Sequence, residues 1–340
     1  MRHLAKTHCR LPGAGLLLGL LAALTASPAL AQTDLGGQRV ATSSATFLKI
    51  GLDARAAALG GAYNALASGP NAIFYNPAGL IDDGHTESLA MSFAQWPAEV
   101  NLGSISASRD VASLGSRIGV GLIFLGTSFD ETTEFHPLGT GRSVSYSDLA
   151  VSLGFSRHFT DRLAIGASVK YIREDLGSNL DGPVMNGVLL DAGTVYSLAN
   201  RNARLAITLN HFGPDLRPDG SFSSRVTGSE IEYSAFSPPT QFQLGFSLDP
   251  WTRGMQRLTT AGQVMHQADN AETIRTGLEY HYGERMALRA GYDWSSDEMG
   301  FSAGLGVKVD LLGRLGAIDY AVTEGGNLET VHRWTVGFGL

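Results

Sequence analysis

Residues 86–340 form about fourteen short segments in which apolar and polar residues alternate, among them residues 116–126, 240–249 and 285–295. Such alternation has the period of a β-strand, with one face apolar and the other polar. No helical stretch remains to cover so many apolar faces, and lipid covers them most simply. The pattern therefore predicts an all-β fold, a transmembrane antiparallel β-barrel of about 14 strands. In the clearest segment the predicted lipid face consists of Met286, Leu288, Ala290, Tyr292 and Trp294, with Arg289 and Asp293 opposite.

The connections between these segments support the same architecture. With a periplasmic N-terminus, every second connection of such a barrel is a tight periplasmic turn, and the others can be long. The short connections at residues 160–161 and 283–284 fall on the predicted periplasmic side. The long ones at residues 127–142 and 214–239 fall on the outer side. Residues 86–340 are thus predicted to form one barrel.

The N-terminus resembles a secretory signal peptide. Arg2, Lys6 and Arg10 precede an apolar run that ends before Ala31. The run is shorter than the roughly 20 apolar residues that a spanning helix needs. We therefore expect residues 1–31 to be removed after Ala31 and the mature chain to have no spanning helix. Together with the barrel pattern, this predicts the outer membrane of a Gram-negative-type bacterium, with its lipids as partners.

Composition excludes several other kinds of function. Without the signal peptide, 22 basic residues face 32 acidic ones, a net charge of about −10, which argues against nucleic acid as a partner. Cys9, the one cysteine, lies in the signal peptide, so thiol chemistry is excluded from the mature chain. The common hydrolase, zinc-protease and phosphate-binding motifs do not occur, and the histidines are scattered singly. We expect no cofactor, no metal site and no enzymatic activity.

The 42 glycines fit a barrel that contains a plug. Glycine at lumen-facing positions leaves room for other backbone to approach the wall. Before the first strand, Gly60 and Gly61 let the backbone bend, and Asn76 followed by Pro77 favours a turn at the barrel entrance. Residues 32–85 are therefore predicted to form a plug, or hatch.

The same segment resembles the N-terminal signature of the PorV/PorQ family, whose barrels are related in fold to the FadL long-chain fatty-acid transporters. The resemblance rests on residues 47–51, on Gly60-Gly61-Ala62-Tyr63 and on residues 71–80. Asp53 departs from it, because a small residue is expected there. The hatch motif so identified comprises Arg55, Gly60, Gly61, Asn71, Tyr75, Asn76, Pro77 and Gly79.

Charged residues on the predicted inward face of the later strands are the candidate lumen site. Opposite charges on neighbouring strands can pair across a sheet, so the set can support the wall and the plug. A solute-selecting ring like those of channels is the alternative. The candidates are Lys170, Arg275, Glu279, His281, Arg289, Asp293, Lys308 and Asp319.

Three functions remain open on the sequence. The resemblance to PorV/PorQ implies work with type IX secretion, with secreted cargo C-terminal domains and secretion components as partners. The alternative is a FadL-like channel that is plugged near Asn76 and passes a hydrophobic small molecule, such as a long-chain fatty acid, into the wall or the periplasm. A structural surface barrel would need neither.

Overall fold

The computed structural model describes residues 42–81, 85–98, 100–223, 228–283, 285–296, 299–311, 314–327 and 329–339. The predicted signal peptide and residues 32–41 and 82–84 of the predicted plug lie outside these ranges. The strands are β1 Glu87–Trp96, β2 Val100–Val111, β3 Ser116–Asp130, β4 Ser143–His158, β5 Leu163–Leu176, β6 Val184–Ser197, β7 Arg204–Phe212, β8 Ser221–Ser223, β9 Glu230–Glu232, β10 Gln241–Arg253, β11 Gln256–Gln267, β12 Asn270–Tyr282, β13 Met286–Asp293, β14 Phe301–Leu311, β15 Arg314–Thr323 and β16 Val331–Gly339.

Fourteen of these strands form a closed antiparallel barrel, as the alternation predicts. Each pairs with its neighbours in chain order, except that β7 pairs with β10, and β16 closes the ring against β1. Strands β8 and β9 form a separate hairpin within the connection between β7 and β10. The end of the barrel that carries this connection and the one between β3 and β4 is here called the loop rim. The opposite end, with the connections at residues 159–162 and 254–255, is the turn rim.

Some strands are longer than the side-chain pattern predicts. β3 continues beyond residue 126 because Asp130 still pairs with Ser143 of β4. β10 continues beyond residue 249 through a bulge between Leu248 and Trp251. Backbone pairing outside the apolar band leaves no alternation to read, which is why the sequence underestimates these strands.

The wall has an apolar outer face and a polar inner face. In β13 the side chain of Leu288 is 58% exposed, whereas Arg289 is 8% exposed and faces the lumen. Similar exposed apolar residues occur on the other strands, including Phe93, Val120 and Leu205. Such a surface suits lipid rather than water. Within the described ranges, no helix has both the length and the apolar character to cross a bilayer.

The lumen contains residues 42–81, here called the hatch. It has 3-10 turns at Thr46–Lys49, Pro70–Phe74 and Pro77–Ile81, and one short helix, α1, at Ala54–Ala58. At the loop rim, Ser44 N donates to Ser237 O at 3.1 Å. Toward the turn rim, Ser156 Oγ donates to Ala78 O at 2.9 Å. The hatch therefore runs through the barrel from one rim toward the other.

Glycines of the wall make room for the hatch. A Cβ atom added to Gly291 would lie 2.0 Å from Leu59 C, and one added to Gly166 would lie 2.4 Å from Ala78 N. Distances this short are not accessible to real Cβ atoms, so these positions require glycine while the hatch is in place. The sequence-based expectation that lumen glycines accommodate a plug is confirmed at these positions.

Candidate functional site

The bend after α1 brings hatch backbone against the wall. Gly60 and Gly61 have φ values of 62° and 80°, in the left-handed region that favours glycine. A Cβ atom at Gly60 would lie 2.5 Å from Tyr292 N, so glycine is needed for both space and conformation. Beside Gly61 lies the side chain of Arg275, one of the lumen candidates.

Asp53 organises the start of α1. The sequence analysis, which expected a small residue at this position, did not predict this role. Its Oδ1 accepts from Arg55 N at 2.7 Å, which caps the helix, and its Oδ2 accepts from Asn71 Nδ2 at 2.7 Å. The Tyr75 hydroxyl accepts from Asp53 N at 3.0 Å. Burial raises the pKa of the Asp53 carboxyl, and the hydrogen bond from Asn71 opposes this shift. A small residue here would leave Asn71 without this partner.

Arg55 joins the hatch to the wall through Glu279. Its Nε and Nη2 atoms donate to the two carboxylate oxygens of Glu279, each at 2.9 Å. Arg289 Nε donates to the same carboxylate at 2.6 Å and also pairs with Asp319, while His281 Nε2 lies 3.1 Å from it. Burial alone would lower the pKa of Arg55, but the neighbouring Glu279 carboxylate holds it well above its ordinary value. Four lumen candidates thus form one network with Arg55.

The Asn76 side chain holds the hatch together near the turn rim. It is fully buried, and its Nδ2 donates to Asn64 Oδ1 at 3.0 Å and to Thr194 O of β6 at 3.3 Å. Its Oδ1 accepts from Ala78 N at 3.1 Å, across Pro77. Gly79 is required nearby, because an added Cβ would lie 2.1 Å from the Ala67 carbonyl oxygen.

The remaining lumen candidates do not join the Arg55 network. Arg275 Nε donates to Asp293 Oδ2 at 2.8 Å. Lys170 pairs with Asp191 at 3.1 Å and contacts His211 Nδ1 at 3.0 Å, two partners that sequence reasoning missed. Lys308 is exposed and has no side-chain pairing shown in the described part of the chain. That part also contains no group of three or more His, Cys, Asp or Glu side chains able to hold a metal.

A cavity of about 380 Å³ lies between the hatch and the wall, toward the loop rim. Its lining combines apolar residues with glutamine, asparagine and basic side chains, so it is amphipathic. Arg333 lies at this cavity, donates from Nε to Gly51 O at 2.8 Å and stacks 5.4 Å from the centre of the Trp96 ring. Its apolar lining includes Leu48, Ile50, Leu52, Phe74, Trp96 and Ile123.

Two further spaces lie against the barrel wall, one inside it and one outside. A pocket of about 130 Å³ on the turn-rim side is lined by Arg55 and Glu279, whereas Ala56 and Ala57 line the larger cavity. The Arg55–Glu279 pair thus lines the smaller pocket, while the residues that follow Arg55 in the chain line the larger cavity. On the outer face, a groove of about 560 Å³ is lined mainly by apolar residues of β4 to β7.

A bulge in the wall lies between that outer groove and the lumen. The pairing of β6 with β7 shifts between Leu190 and Ala192, and His211 takes a φ of 59°. Asp191 lines the outer groove, while its partners Lys170 and His211 line the luminal cavity. Strict alternation does not hold where a strand bulges, so no sequence signal marks His211 as inward-facing.

The comparisons with known proteins identify the fold. No protein-family profile and no curated protein sequence matches the chain. A Pseudomonas aeruginosa FadL homologue superposes with a TM-score of 0.56 and 13% identity, over 85% of this chain and 98% of that one. The Ralstonia pickettii toluene transporter TbuX gives 0.55 and 15%, over 85% and 97%. The Pseudomonas putida toluene transporter TodX gives 0.53 and 15%, over 83% and 95%.

This is the fold of FadL-like outer-membrane barrels. At identities of 13% to 15% the likeness extends to the architecture alone. The predicted fold class is confirmed, including a segment inside the barrel. The PorV/PorQ resemblance remains a prediction from the hatch motif.

Proposed function

We propose that the protein is a non-enzymatic outer-membrane channel for small hydrophobic or amphipathic solutes, gated by its hatch. The observation that carries this proposal is the cavity of about 380 Å³, which lies inside the barrel and is lined on one side by the hatch. Its size is in the range of small-molecule sites, which are mostly apolar with a few placed polar groups. The comparison proteins TbuX and TodX, named as toluene transporters, make monoaromatic hydrocarbons the first solutes to test.

Two exits from the cavity are compatible with this function. One leads to the turn-rim pocket and requires the Arg55–Glu279 pair to open. The other leads through the bulge between β6 and β7 into the apolar outer groove, past Lys170 and Asp191. A solute that leaves by the second route enters the membrane without passing the hatch.

Filling the cavity tests the proposal directly. Ala57 is half-buried and lines the cavity, so Ala57→Phe should occupy it while α1 is preserved. Uptake of radiolabelled toluene into proteoliposomes should then fall toward the rate of protein-free vesicles, whereas Ala57→Ser should transport like the wild type. Equal uptake by Ala57→Phe and the wild type would contradict transport through this cavity.

The role in type IX secretion rests on the sequence resemblance alone. It predicts that deletion of the gene abolishes surface display of proteins that carry the type IX sorting domain. Under the channel proposal, display continues and only solute uptake is lost. The two functions are thus separated by one strain and two assays.

A further inference from the structure

Arg333 differs from the other Lys and Arg side chains that line the cavity, because no carboxylate neutralises it. The others are paired as Lys49 with Asp269, Lys170 with Asp191 and Arg275 with Asp293. Arg333 is 5% exposed, and in the described part of the chain it forms no ion pair with Asp or Glu. The Trp96 ring and the oxygens that contact it carry no net charge. Because a buried charge without a counter-charge is costly, this position favours an anionic ligand.

The Arg333 guanidinium also has a donor to spare. Nε donates to Gly51 O and Nη1 donates to Thr323 Oγ1, each at 2.8 Å. Among the described residues, no acceptor is present for Nη2. Guanidinium groups remain charged and match the geometry of carboxylates. Nη2 can therefore donate to a carboxylate oxygen of a bound solute.

The Tyr75 hydroxyl is a second donor at the same part of the cavity. It accepts from Asp53 N at 3.0 Å, but within the described ranges its own proton has no acceptor. Tyr75 and Arg333 both lie beside Gly51, since a Cβ atom added to Gly51 would lie 3.4 Å from Tyr75 Oη. All three residues line the cavity. The hatch and the wall thus each contribute one available donor.

Aromatic and aliphatic side chains continue the lining next to these donors. Trp96 stacks on Arg333 and belongs to the same apolar cluster as Phe74 and Ile50. Aromatic side chains favour stacked or edge-on contact with another ring. A solute whose carboxylate meets Arg333 could therefore place an attached ring against this cluster.

We propose that the cavity selects a compact aromatic carboxylate, whose anionic head is bound by Arg333 and Tyr75. This inference rests on the proposed channel function and makes an acid, rather than a hydrocarbon, the preferred solute. One carboxylate would neutralise Arg333 and accept from both available donors. Toluene, which fits the apolar part of the lining alone, would leave both donors unpaired and should bind more weakly.

Matched ligands test this selection on the unmodified protein. Phenylacetate and its neutral isostere phenylacetamide differ in charge but hardly in shape. In isothermal titration calorimetry of the full-length protein in detergent at neutral pH, phenylacetate should bind at least roughly tenfold more tightly than phenylacetamide or toluene, as expected for hydrogen bonds to a charged group. Equal affinities for phenylacetate and phenylacetamide would overturn the inference. Tighter binding of octanoate, a linear acid with as many carbon atoms, would overturn its aromatic part.

Variants assign the preference to its residues. Arg333→Gln should abolish the preference for the acid, whereas Arg333→Lys should retain part of it because the charge remains. Arg109→Gln, at an exposed position of the wall, should bind like the wild type. Tyr75→Phe should weaken phenylacetate binding roughly 2- to 10-fold. A preference that persists in folded Arg333→Gln would overturn the assignment, and if this variant does not fold, the isosteric ligands and Tyr75→Phe decide the question.

Failure of this inference can be told apart from failure of the channel proposal. If the inference alone fails, phenylacetate has no advantage over phenylacetamide, while toluene uptake still falls in Ala57→Phe. If the channel proposal fails, Ala57→Phe takes up toluene like the wild type, whichever solute the cavity binds.

Discussion

The ion pair between Arg55 and Glu279 should control whether the hatch stays in place. The Arg55 side chain is 23% exposed and that of Glu279 is 1% exposed, so the pair is largely shielded from water. Removing one partner of a buried pair costs about 3–5 kcal/mol. In Arg55→Ala, Glu279 keeps its contact with Arg289 at 2.6 Å. We therefore expect the free energy that holds the hatch in place to fall by a smaller amount, about 2–3 kcal/mol, near the value of charged hydrogen bonds.

The substitution should destabilise the attachment of the hatch but not the barrel wall, because Glu279 and Arg289 still pair across β12 and β13. At about 1.4 kcal/mol for each factor of ten, the population with a released hatch should rise roughly 30- to 150-fold. Planar-bilayer recordings would detect this as an increased open probability. Limited trypsin digestion would detect it as faster cleavage at Lys49.

Matched variants separate release of the hatch from general destabilisation. Arg109→Ala removes an ion pair with Glu87 on the wall, where the arginine side chain is 74% exposed, and should change stability by no more than about 1 kcal/mol. Arg55→Lys keeps the charge but loses the two-point contact, and should be intermediate. The Arg55–Glu279 pair would not hold the hatch if Arg55→Ala showed the same open probability and the same rate of trypsin cleavage as Arg109→Ala.

Three further perturbations probe the wall, the lipid face and the hatch core. Gly291→Ala should displace the hatch and raise conductance, because the new Cβ atom would collide with hatch backbone. A Cβ atom added at Gly126 has no other atom within 4 Å, so Gly126→Ala is the control, and equal conductance of the two variants would contradict this expectation. Leu288→Arg should cost about 2–4 kcal/mol at mid-membrane and reduce barrel assembly, which heat-modifiable gel mobility measures. Leu288→Ala should assemble normally, and normal assembly of the arginine variant would place Leu288 away from lipid. Asn76→Ala should leave Ala78 N and Asn64 Oδ1 without their partner and cost about 1–3 kcal/mol, measured as faster proteolysis of the hatch; unchanged proteolysis would exclude that role.

Much of the barrel could be read from the sequence because its signals are local. Alternation decides which side of a strand each residue occupies, and in a closed barrel that side meets either lipid or lumen. Leu288 and Arg289 are placed correctly on this basis alone. The sequence also predicts glycine at wall positions that face a plug, because glycine has no Cβ atom to collide with it, as at Gly166 and Gly291.

The partners within the lumen depended on tertiary structure. Asp53 lies 18 residues from Asn71, and Arg55 lies 224 residues from Glu279, so only the path of the hatch through the barrel brings each pair together. His211 faces inward because a bulge interrupts the alternation of β7. Pairing across such separations depends on register, bulges and the position of the hatch, which are properties of the whole barrel rather than of any one segment.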